Sequence, residues 1–268
     1  MSYYRVLGLE KEPFSTSPDP SLMYMSNSHR TVLHRLEIAI RLRRGLSIIL
    51  GDVGTGKTTV ARALVQNLSQ DKDILAHMIL DPSQKSEYQF LYTLVRLFNV
   101  HYEFRSVIDF KEAIEKFLFQ KGVDENKTVV LIIDEGQKLT HPFLEVLRLL
   151  LNYETNEYKL LQLVVFGQLE LLPKLAKIRN LMDRVSLKYI LNPLDDQEAK
   201  KMVEFRLARS GFNGGRKLFT DDALQLIHEH TQGYPRQISM LCHDALEKIV
   251  MEDKRLVQAS DVREILLR

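Results

Sequence analysis

A glycine-rich run between two apolar segments constrains the fold of this chain more than any other stretch. The run is Gly-Asp-Val-Gly-Thr-Gly-Lys-Thr-Thr at residues 51–59, preceded by an apolar stretch at 46–50 and followed by a helix-like stretch at 60–65. Closely spaced glycines let the backbone fold around an anion and aim several N–H donors at it. The order of strand, glycine loop and helix is typical of a phosphate-binding loop. It therefore predicts a nucleotide-binding α/β domain.

The residue types in this loop match the needs of a phosphate chain with its metal ion. A helix that begins near Lys57 contributes N–H groups and the positive end of its dipole, Lys57 reaches the β- and γ-phosphates, and Thr58 offers a hydroxyl to Mg²⁺. A plain strand-to-helix turn is the alternative, but it leaves Lys57 unexplained. The predicted nucleotide-binding residues are Gly51, Asp52, Val53, Gly54, Thr55, Gly56, Lys57, Thr58 and Thr59.

The composition is that of a globular protein without a global attraction for polyanions. The 268 residues are 45% hydrophobic and 27% charged, and the net charge is +2; this fits one large or two modest domains. No run approaches the roughly 18 apolar residues that cross a bilayer, and the N-terminus lacks a signal-peptide core, so we expect a cytoplasmic protein. Cys242 is the only cysteine, and its helical register predicts a packed core thiol. His228 and His230 are predicted to be surface residues.

Apolar runs alternate with helical patterns up to about residue 192, and only helical patterns follow. Alternation of this kind predicts a five-stranded parallel sheet with helices on both faces. The predicted domains are an irregular N-terminal segment (1–27) packed on the nucleotide-binding domain, the α/β nucleotide-binding domain itself (28–192) and a small helical lid (193–268). The predicted strands are 46–50, 74–80, 129–133, 161–166 and 185–191, and the lid helices are 195–210, 220–231, 235–252 and 259–267.

Polar side chains follow the third and fourth predicted strands. The aliphatic third strand ends on Asp134 and Glu135, at the strand end where open α/β sheets bind ligands. Asp134 can hold the Mg²⁺ shell and Glu135 can polarise the attacking water; two solvated acids that open a loop are the alternative. Gln168 follows the fourth strand. If this strand lies beside the acidic one, its amide reaches the γ-phosphate and the attacking water.

Several arginines suggest further hypotheses about ligand binding. Pro235 and Arg236 form the start of a lid helix, so Arg236 is either a charge clamp on a triphosphate or an ordinary surface residue. A basic helix face is predicted upstream of the glycine loop, and it is interpreted either as a solvated face or as a contact for nucleic acid or a partner. Its members are Arg30, Arg35, Arg41, Arg43 and Arg44.

Together these motifs resemble the AAA+ ATPases. The resemblance rests on residues 51–58, 131–135, Gln168, Arg184 before the fifth strand, and Gly-Tyr-Pro-Arg at 233–236. The N-terminal segment narrows it to the ExeA/GspA (general secretion pathway protein A) branch, whose members power the assembly of secretion systems and pili. The residues that carry this narrower resemblance are Tyr4, Leu7-Gly8-Leu9, Pro13-Phe14, Pro18-Asp19-Pro20, Tyr24, Ser26 and His29.

The resemblance implies an ATPase that acts as a ring or filament of identical subunits, with ATP and Mg²⁺ as its cofactors. Such an ATPase hydrolyses ATP with water to ADP and phosphate. The resemblance implies that Lys57 and Thr58 bind the phosphates and Mg²⁺, and that Asp134 and Glu135 are the Walker B residues. It implies that Gln168 is the first sensor and Arg236 the second. Arg184 is implied to act as an arginine finger on the ATP of a neighbouring subunit, and Arg179 is the reserve candidate.

Two departures from the branch stand out. Many members have Ala after the acid pair and Pro after the sensor Gln, where this chain has Gly136 and Leu169; neither change removes a functional group. Secretion-type members also continue into a membrane helix and a peptidoglycan-binding domain. Because this sequence ends at Arg268, we expect a stand-alone ATPase module, peripheral at the inner membrane through a partner if it serves secretion.

Three functions remain open at this point. The first is an assembly ATPase that acts on a partner complex of the secretion or pilus type, and the N-terminal pattern favours it. The second is a DNA-bound transposition regulator that forms ATP-dependent filaments on duplex DNA, and the basic helix face favours it. The third is a nucleotide-binding switch with little hydrolysis, against which Glu135 and Arg236 argue.

Overall fold

The structure, a computed structural model, describes residues 2–15, 20–101, 104–212 and 215–267. These residues form two compact units. The α/β unit comprises His29–Val53 and Val60–Leu191. The helical unit comprises the described parts of Met1–Ser28 and Asn192–Arg268 together with the loop segment Gly54–Thr59. Pro18 and Asp19 of the N-terminal resemblance lie outside the described residues.

The α/β unit contains a five-stranded sheet in which every pairing is parallel, in the order β2-β3-β4-β1-β5. The three inner strands are buried along their whole length, whereas the edge strands β2 and β5 are partly exposed. Continuous aliphatic runs form the inner strands because both faces of a parallel sheet are covered. The predicted sheet is confirmed. Its strands are β1 (Leu46–Gly51), β2 (Ile74–Ile79), β3 (Thr128–Ile133), β4 (Leu161–Gly167) and β5 (Val185–Leu191).

Helices cover both faces of this sheet. Alternate residues of β3 serve different cores, since Val129 and Leu131 pack on one face and Val130 and Ile132 on the other. The first face is covered by α4 to α7, and the second by α2 and α3. The bounds of these helices are α2 (Asn27–Arg41), α3 (Lys57–Leu68), α4 (Glu87–Leu97), α5 (Val107–Phe119), α6 (His141–Leu150) and α7 (Leu171–Ala176), preceded along the chain by the short α1 (Tyr3–Val6).

Four long helices of the helical unit have bounds that lie within one residue of the predicted ones. They are α8 (Asp196–Arg209), α9 (Asp221–Thr231), α10 (Pro235–Met251) and α11 (Ala259–Leu266). Cys242 lies in the core of this unit, as predicted, and burial raises the pKa of its thiol. No helix in the described parts of the chain combines the length and the apolar character that a membrane span needs.

The N-terminal segment belongs to the helical unit, which corrects the prediction that it packs on the ATP-binding domain. Leu7, Leu9 and Phe14 lie in the same core cluster as α8 to α11. The rings of Phe14 and Phe219 meet edge to face at 6.2 Å, and Tyr3 Oη lies 3.0 Å from His243 Nδ1. The segment was correctly predicted to be buried, but apolar spacing alone does not tell which of two cores an irregular segment covers.

Arg179 lies after the end of α7, and Arg184 ends a separate 3₁₀ turn, Met182–Arg184. One further detail differs from the prediction. His228 is half-buried rather than a plain surface residue, and its Nε2 bonds the carbonyl oxygen of Leu194 at 3.0 Å.

That bond belongs to a tight contact at the start of the helical unit. Leu194 N donates to Gly233 O at 2.9 Å, and Gly233 has a φ of +77°. A Cβ atom on Gly233 would lie only 1.9 Å from Leu194 O, which no side chain can occupy. Only glycine therefore fits the turn that precedes α10.

We expect Gly233→Ala to lower the free energy of unfolding by about 3–5 kcal/mol, because left-handed strain is combined with a forced shift of the Leu194 backbone. Gly8→Ala is the matched control: Gly8 has a φ of +82° but open space around its Cβ position, so strain alone should cost about 1–2 kcal/mol. Urea unfolding followed by circular dichroism measures both. Equal losses in the two variants would contradict the steric explanation.

Candidate nucleotide-binding site

The carboxyl ends of the inner strands bring the predicted site residues of the α/β unit to one edge of the sheet. β4 lies between β3 and β1, with Ile133 beside Val165 and Leu50 beside Gly167. β1 leads into the glycine loop, β3 ends before Asp134, and β4 ends before Gln168. The expectation that the Gln168 strand lies beside the acidic strand is confirmed. This is the edge at which parallel α/β sheets bind ligands.

The loop after β1 has the backbone that a phosphate cradle needs. Gly54 and Gly56 adopt φ values of +86° and +95°, which side-chain-bearing residues rarely reach. α3 then begins at Lys57, whose side chain is only 7% exposed. Burying an ammonium group is costly unless polar or anionic groups surround it. The loop thus supplies backbone donors, a helix N-terminus and a buried cation within a few residues.

Within the helical unit, Arg236 lies against this loop. A Cβ atom on Gly54 would be 3.1 Å from Arg236 Cβ, so the glycine lets the two segments approach closely. Arg236 is the second residue of α10, directly after Pro235, and its side chain is exposed. The Gly233 turn described above sets the start of this helix. The structure therefore brings one long cationic side chain to the glycine loop, as the clamp hypothesis requires.

Asp134 and Glu135 occupy different environments. Asp134 is 2% exposed, and its Oδ1 accepts a hydrogen bond from Glu135 N at 2.9 Å. Glu135 is half-buried and has a φ of +53°. A left-handed backbone is strained in a glutamate and tends to persist where the structure fixes it for function. Asp134, buried at a strand end, is suited to hold a metal ion, and Glu135 is suited to contact a reactant.

Gln137 links Glu135 to Gln168, and sequence reasoning missed it. Its Nε2 donates to Glu135 Oε2 at 2.7 Å, and its Oε1 accepts from Gln168 N at 3.1 Å. Nothing in the periodicity marks this residue, because it lies in a 3₁₀ turn, Gly136–Lys138. Its only sequence signal is its place two residues after the acid pair.

An exposed ion pair was also missed. Lys138 Nζ lies 2.7 Å from Oδ2 of Asp81, which lies two residues after the end of β2. The hydrogen bond from Lys138, with further bonds from Ser83, lowers the pKa of Asp81 to about 2. Because both side chains are about half exposed, the pair adds little stability, but it ties the turn after β3 to the end of β2.

Arg184 lies at the amino-terminal end of the strands, opposite the carboxyl ends that carry the other predicted site residues. It directly precedes β5, a parallel strand of seven residues, which spans about 20 Å. Its guanidinium donates to the carbonyl of Arg148 at 3.3 Å and to the side chain of Asn152. The structure therefore does not bring Arg184 to Glu135 of the same chain. Arg179 is exposed and lies between α7 and that end of the strands.

Part of the predicted basic face is engaged within the chain. Arg41 pairs with Asp71 at 2.8 Å. Arg43 donates to Thr128 Oγ1 and to the carbonyls of Gly122 and Asn126, and it lies over the ring of Tyr158 at 4.4 Å. These bonds give Arg43 a structural role, so the face offers fewer cations to a polyanion than its sequence indicates.

Comparisons with known proteins agree with this geometry. Residues 40–175 match the family model described as "AAA domain". General secretion pathway protein A of Aeromonas hydrophila is 38% identical over 253 residues, and the match covers 91% of this chain and 44% of that protein. The chain thus spans less than half of that relative's length.

Solved structures share the fold at low identity. The ORC2 protein of Aeropyrum pernix, in ADPNP–ADP complexes, has a TM-score of 0.67 at 17% identity over 95% of this chain and 71% of its own. Drosophila ORC bound to DNA has a TM-score of 0.68 at 20% identity over 99% and 65%. The Thermotoga maritima RuvB branch migration motor has a TM-score of 0.59 at 15% identity over 91% and 72%.

The fold and the motifs at its carboxyl edge define a P-loop protein of the AAA class. The family model covers half of the sequence, and the identity to the secretion protein extends over most of the remainder. The chain therefore belongs to the AAA family of ATPase domains, in its ExeA/GspA branch. The resemblance drawn from the motifs is confirmed.

The structure explains one departure from the branch. A Cβ atom on Gly136 would lie 2.4 Å from Val165 Cγ1 and 3.0 Å from Phe166 O. Alanine, common at this position in the branch, does not fit here against a valine on β4. Gly136 is thus required by packing, although the substitution removes no functional group.

We expect Gly136→Ala to destabilise the protein by about 1–3 kcal/mol through overpacking. In a Val165→Ala background the colliding methyl group is absent, so the same change should cost about 1 kcal/mol less. A double-mutant cycle from urea unfolding measures the difference. If the cost of Gly136→Ala is the same in both backgrounds, Val165 is not the obstacle.

Proposed function

We propose that this chain binds Mg-ATP and hydrolyses it by in-line attack of water on the γ-phosphate. The observation that carries the proposal is the shared carboxyl edge of β1, β3 and β4, from which the glycine loop, the acid pair and Gln168 all emerge. Phosphoryl transfer needs mainly positioning and charge stabilisation. Donors, a cation and two carboxylates at one sheet edge are the groups for that task.

The loop and the first turn of α3 are proposed to hold the phosphates. Backbone N–H groups of residues 51–59 and the ammonium group of Lys57 stabilise negative charge. The Thr58 hydroxyl and the Asp134 carboxylate are hard oxygen donors of the kind that Mg²⁺ prefers, so they fit the metal. When bound, Mg²⁺ neutralises charge on the phosphate oxygens.

The remaining site residues act on the reacting atoms. Glu135 orients and polarises the attacking water, and Gln168 hydrogen-bonds the γ-phosphate or that water. Arg236, at the glycine loop in the helical unit, binds the phosphates as a charge clamp. The proposed domain limits stay as predicted for the α/β domain (28–192) and the lid (193–268), with the N-terminal segment now assigned to the core of the helical unit.

Arg184 is proposed to act on the ATP of a neighbouring copy. Its place at the amino edge of the sheet supports this role, since a finger acting in the same chain would have to lie near the carboxyl edge. The proposed active form is therefore a ring or filament. Arg179 is the reserve candidate.

The biological role proposed here is nucleotide-driven assembly or remodelling of a partner complex. The support is the identity with a protein named for the general secretion pathway. The proposed partner is secretion or pilus machinery, and the proposed location is the cytoplasm, with attachment to the inner membrane through that partner.

Mixing two inactive variants tests the site and the neighbour's arginine together. Glu135→Gln should abolish hydrolysis in its own site but still supply Arg184. Arg184→Ala should keep its own site but supply no finger, whose loss typically costs about 10³–10⁵ in rate. Neither variant should turn over alone, and an equimolar mixture should recover activity. Phosphate release against protein concentration measures this, and the wild-type rate per subunit should rise with concentration.

Three controls accompany the mixture. Lys57→Ala with Glu135→Gln should not recover, because neither partner has a working site. Asn152→Ala removes a hydrogen-bond acceptor of Arg184 but keeps the guanidinium, so it should remain active alone. Arg179→Ala should also remain active; if it is inactive and Arg184→Ala is not, Arg179 is the finger. A mixture of Glu135→Gln and Arg184→Ala that stays inactive would contradict the trans arrangement.

Duplex DNA is the alternative partner, and the structure supports it less than the sequence does. Arg41 and Arg43 have intramolecular partners, and the DNA-bound neighbour shares only the fold. We expect ATP hydrolysis to be unchanged by duplex DNA at about 0.15 M salt. Stimulation by DNA, with binding that falls steeply as salt rises, would favour the transposition regulator instead. Tight ATP binding without turnover would favour the switch.

A further inference from the structure

We propose that Gln137 is a positioning residue that aims Glu135 and couples it to the backbone of Gln168. The proposal rests on the hydrolytic role proposed for Glu135. It concerns how the carboxylate is held in the protein before and during hydrolysis. Gln137 itself is not proposed to touch ATP.

Both ends of the Gln137 amide are engaged. Nε2 donates to Glu135 Oε2 at 2.7 Å, and Oε1 accepts from Gln168 N at 3.1 Å. The orientation of the amide is fixed chemically, because the Gln168 N–H can only donate and an ionised carboxylate can only accept. One side chain thus bridges the end of β3 to the end of β4.

The backbone around Gln137 is held from several sides. Lys174 on α7 donates to the carbonyl of Gln137. Gly136 packs against Val165 with no room for a methyl group, and Lys138 pairs with Asp81. Because the packing of Gly136 and the pairing of Lys138 fix the turn, with the Lys174 bond as an additional contact, the Gln137 side chain starts from a fixed point. Its two bonds can then set the direction of Glu135, whose own backbone is left-handed.

The chemistry of an amide suits this position. A carboxylate has about four acceptor sites, so one donor from Gln137 orients Glu135 and leaves room for a water molecule. The donor is neutral, so it does not add the charge with which Lys or Arg would suppress the basicity of the carboxylate. Lys could not accept from Gln168 N, and Glu could not donate to Glu135. A contact that displaces Gln168 would therefore also change the direction of the Glu135 carboxylate, because Gln137 is bonded to both residues.

Gln137→Met keeps the length of the side chain and removes both bonds. We expect kcat for Mg-ATP to fall about 10–100-fold, as for a misaligned catalytic group, with KM within about twofold. Lys174→Met is the matched control, since it removes the bond to the Gln137 carbonyl and leaves both amide bonds; its kcat should stay within about threefold. An unchanged kcat in Gln137→Met, or equal losses in both variants, would overturn the proposal.

Gln137→Glu tests the contact with Glu135 more specifically. Two adjacent carboxylates are harder to ionise together, so the acidic limb of the kcat–pH profile should move to higher pH. A merely structural role for Gln137 would lower activity without moving that limb, and such a result would count against the proposal.

A measurement without nucleotide tests the coupling through Gln137 independently of ATP hydrolysis. In amide NMR spectra, the proton of Gln168 should move upfield and exchange faster in Gln137→Met but not in Lys174→Met. If wild type and Glu135→Gln both fail to hydrolyse ATP, the proposed function fails, and this spectrum still decides whether Gln137 couples the two loops. An unmoved Gln168 resonance in Gln137→Met would overturn the coupling.

Discussion

The parallel pairing of β3 with β4, and of β4 with β1, is the constraint on which the candidate site depends. Parallel strands end at the same edge, so β1, β3 and β4, which are far apart in sequence, end side by side before the glycine loop, the acid pair and Gln168. The pairing is secured by burial, since all three strands are covered on both faces. Gly136 belongs to the same arrangement, because its lack of a side chain lets the turn after β3 close onto Val165.

The helical unit depends on a second close approach of backbones. Gly233 meets the carbonyl of Leu194 where no Cβ fits, and the helix that carries Arg236 begins two residues later. Gly54 then lets Arg236 lie against the phosphate loop. The same unit contains the apolar N-terminal segment in its core. The residues that define the ExeA/GspA resemblance at the N-terminus thus include core residues of this unit, such as Leu7 and Phe14.

The sequence predicted the fold closely, because long apolar runs and glycine loops are local signals. All five predicted strands and the four predicted helices of the lid are confirmed. The start of α5 at Val107 is fixed by a capping box between Ser106 and Asp109. The sequence also predicted that the strand before Gln168 lies beside the strand before the acid pair, as β4 and β3 do. It missed Gln137, the Asp81–Lys138 pair and the place of the N-terminal segment, because each depends on contacts between distant residues. Hydrogen bonds within the chain occupy Arg43, so the basic helix face offers fewer cations to a partner than the sequence indicates. These bonds cannot be predicted from the sequence alone.

The most direct test of the central claim is a crystal structure of the protein with Mg²⁺ and a non-hydrolysable ATP analogue. The account predicts phosphates on the backbone N–H groups of Gly54–Thr58, Lys57 at the β- and γ-phosphates, and Mg²⁺ about 2.0–2.1 Å from the Thr58 hydroxyl, with Asp134 in its shell and Glu135 facing the γ-phosphate. A nucleotide bound away from the glycine loop, or a bound nucleotide with Asp134 and Glu135 both turned away from the metal and the γ-phosphate, would contradict it.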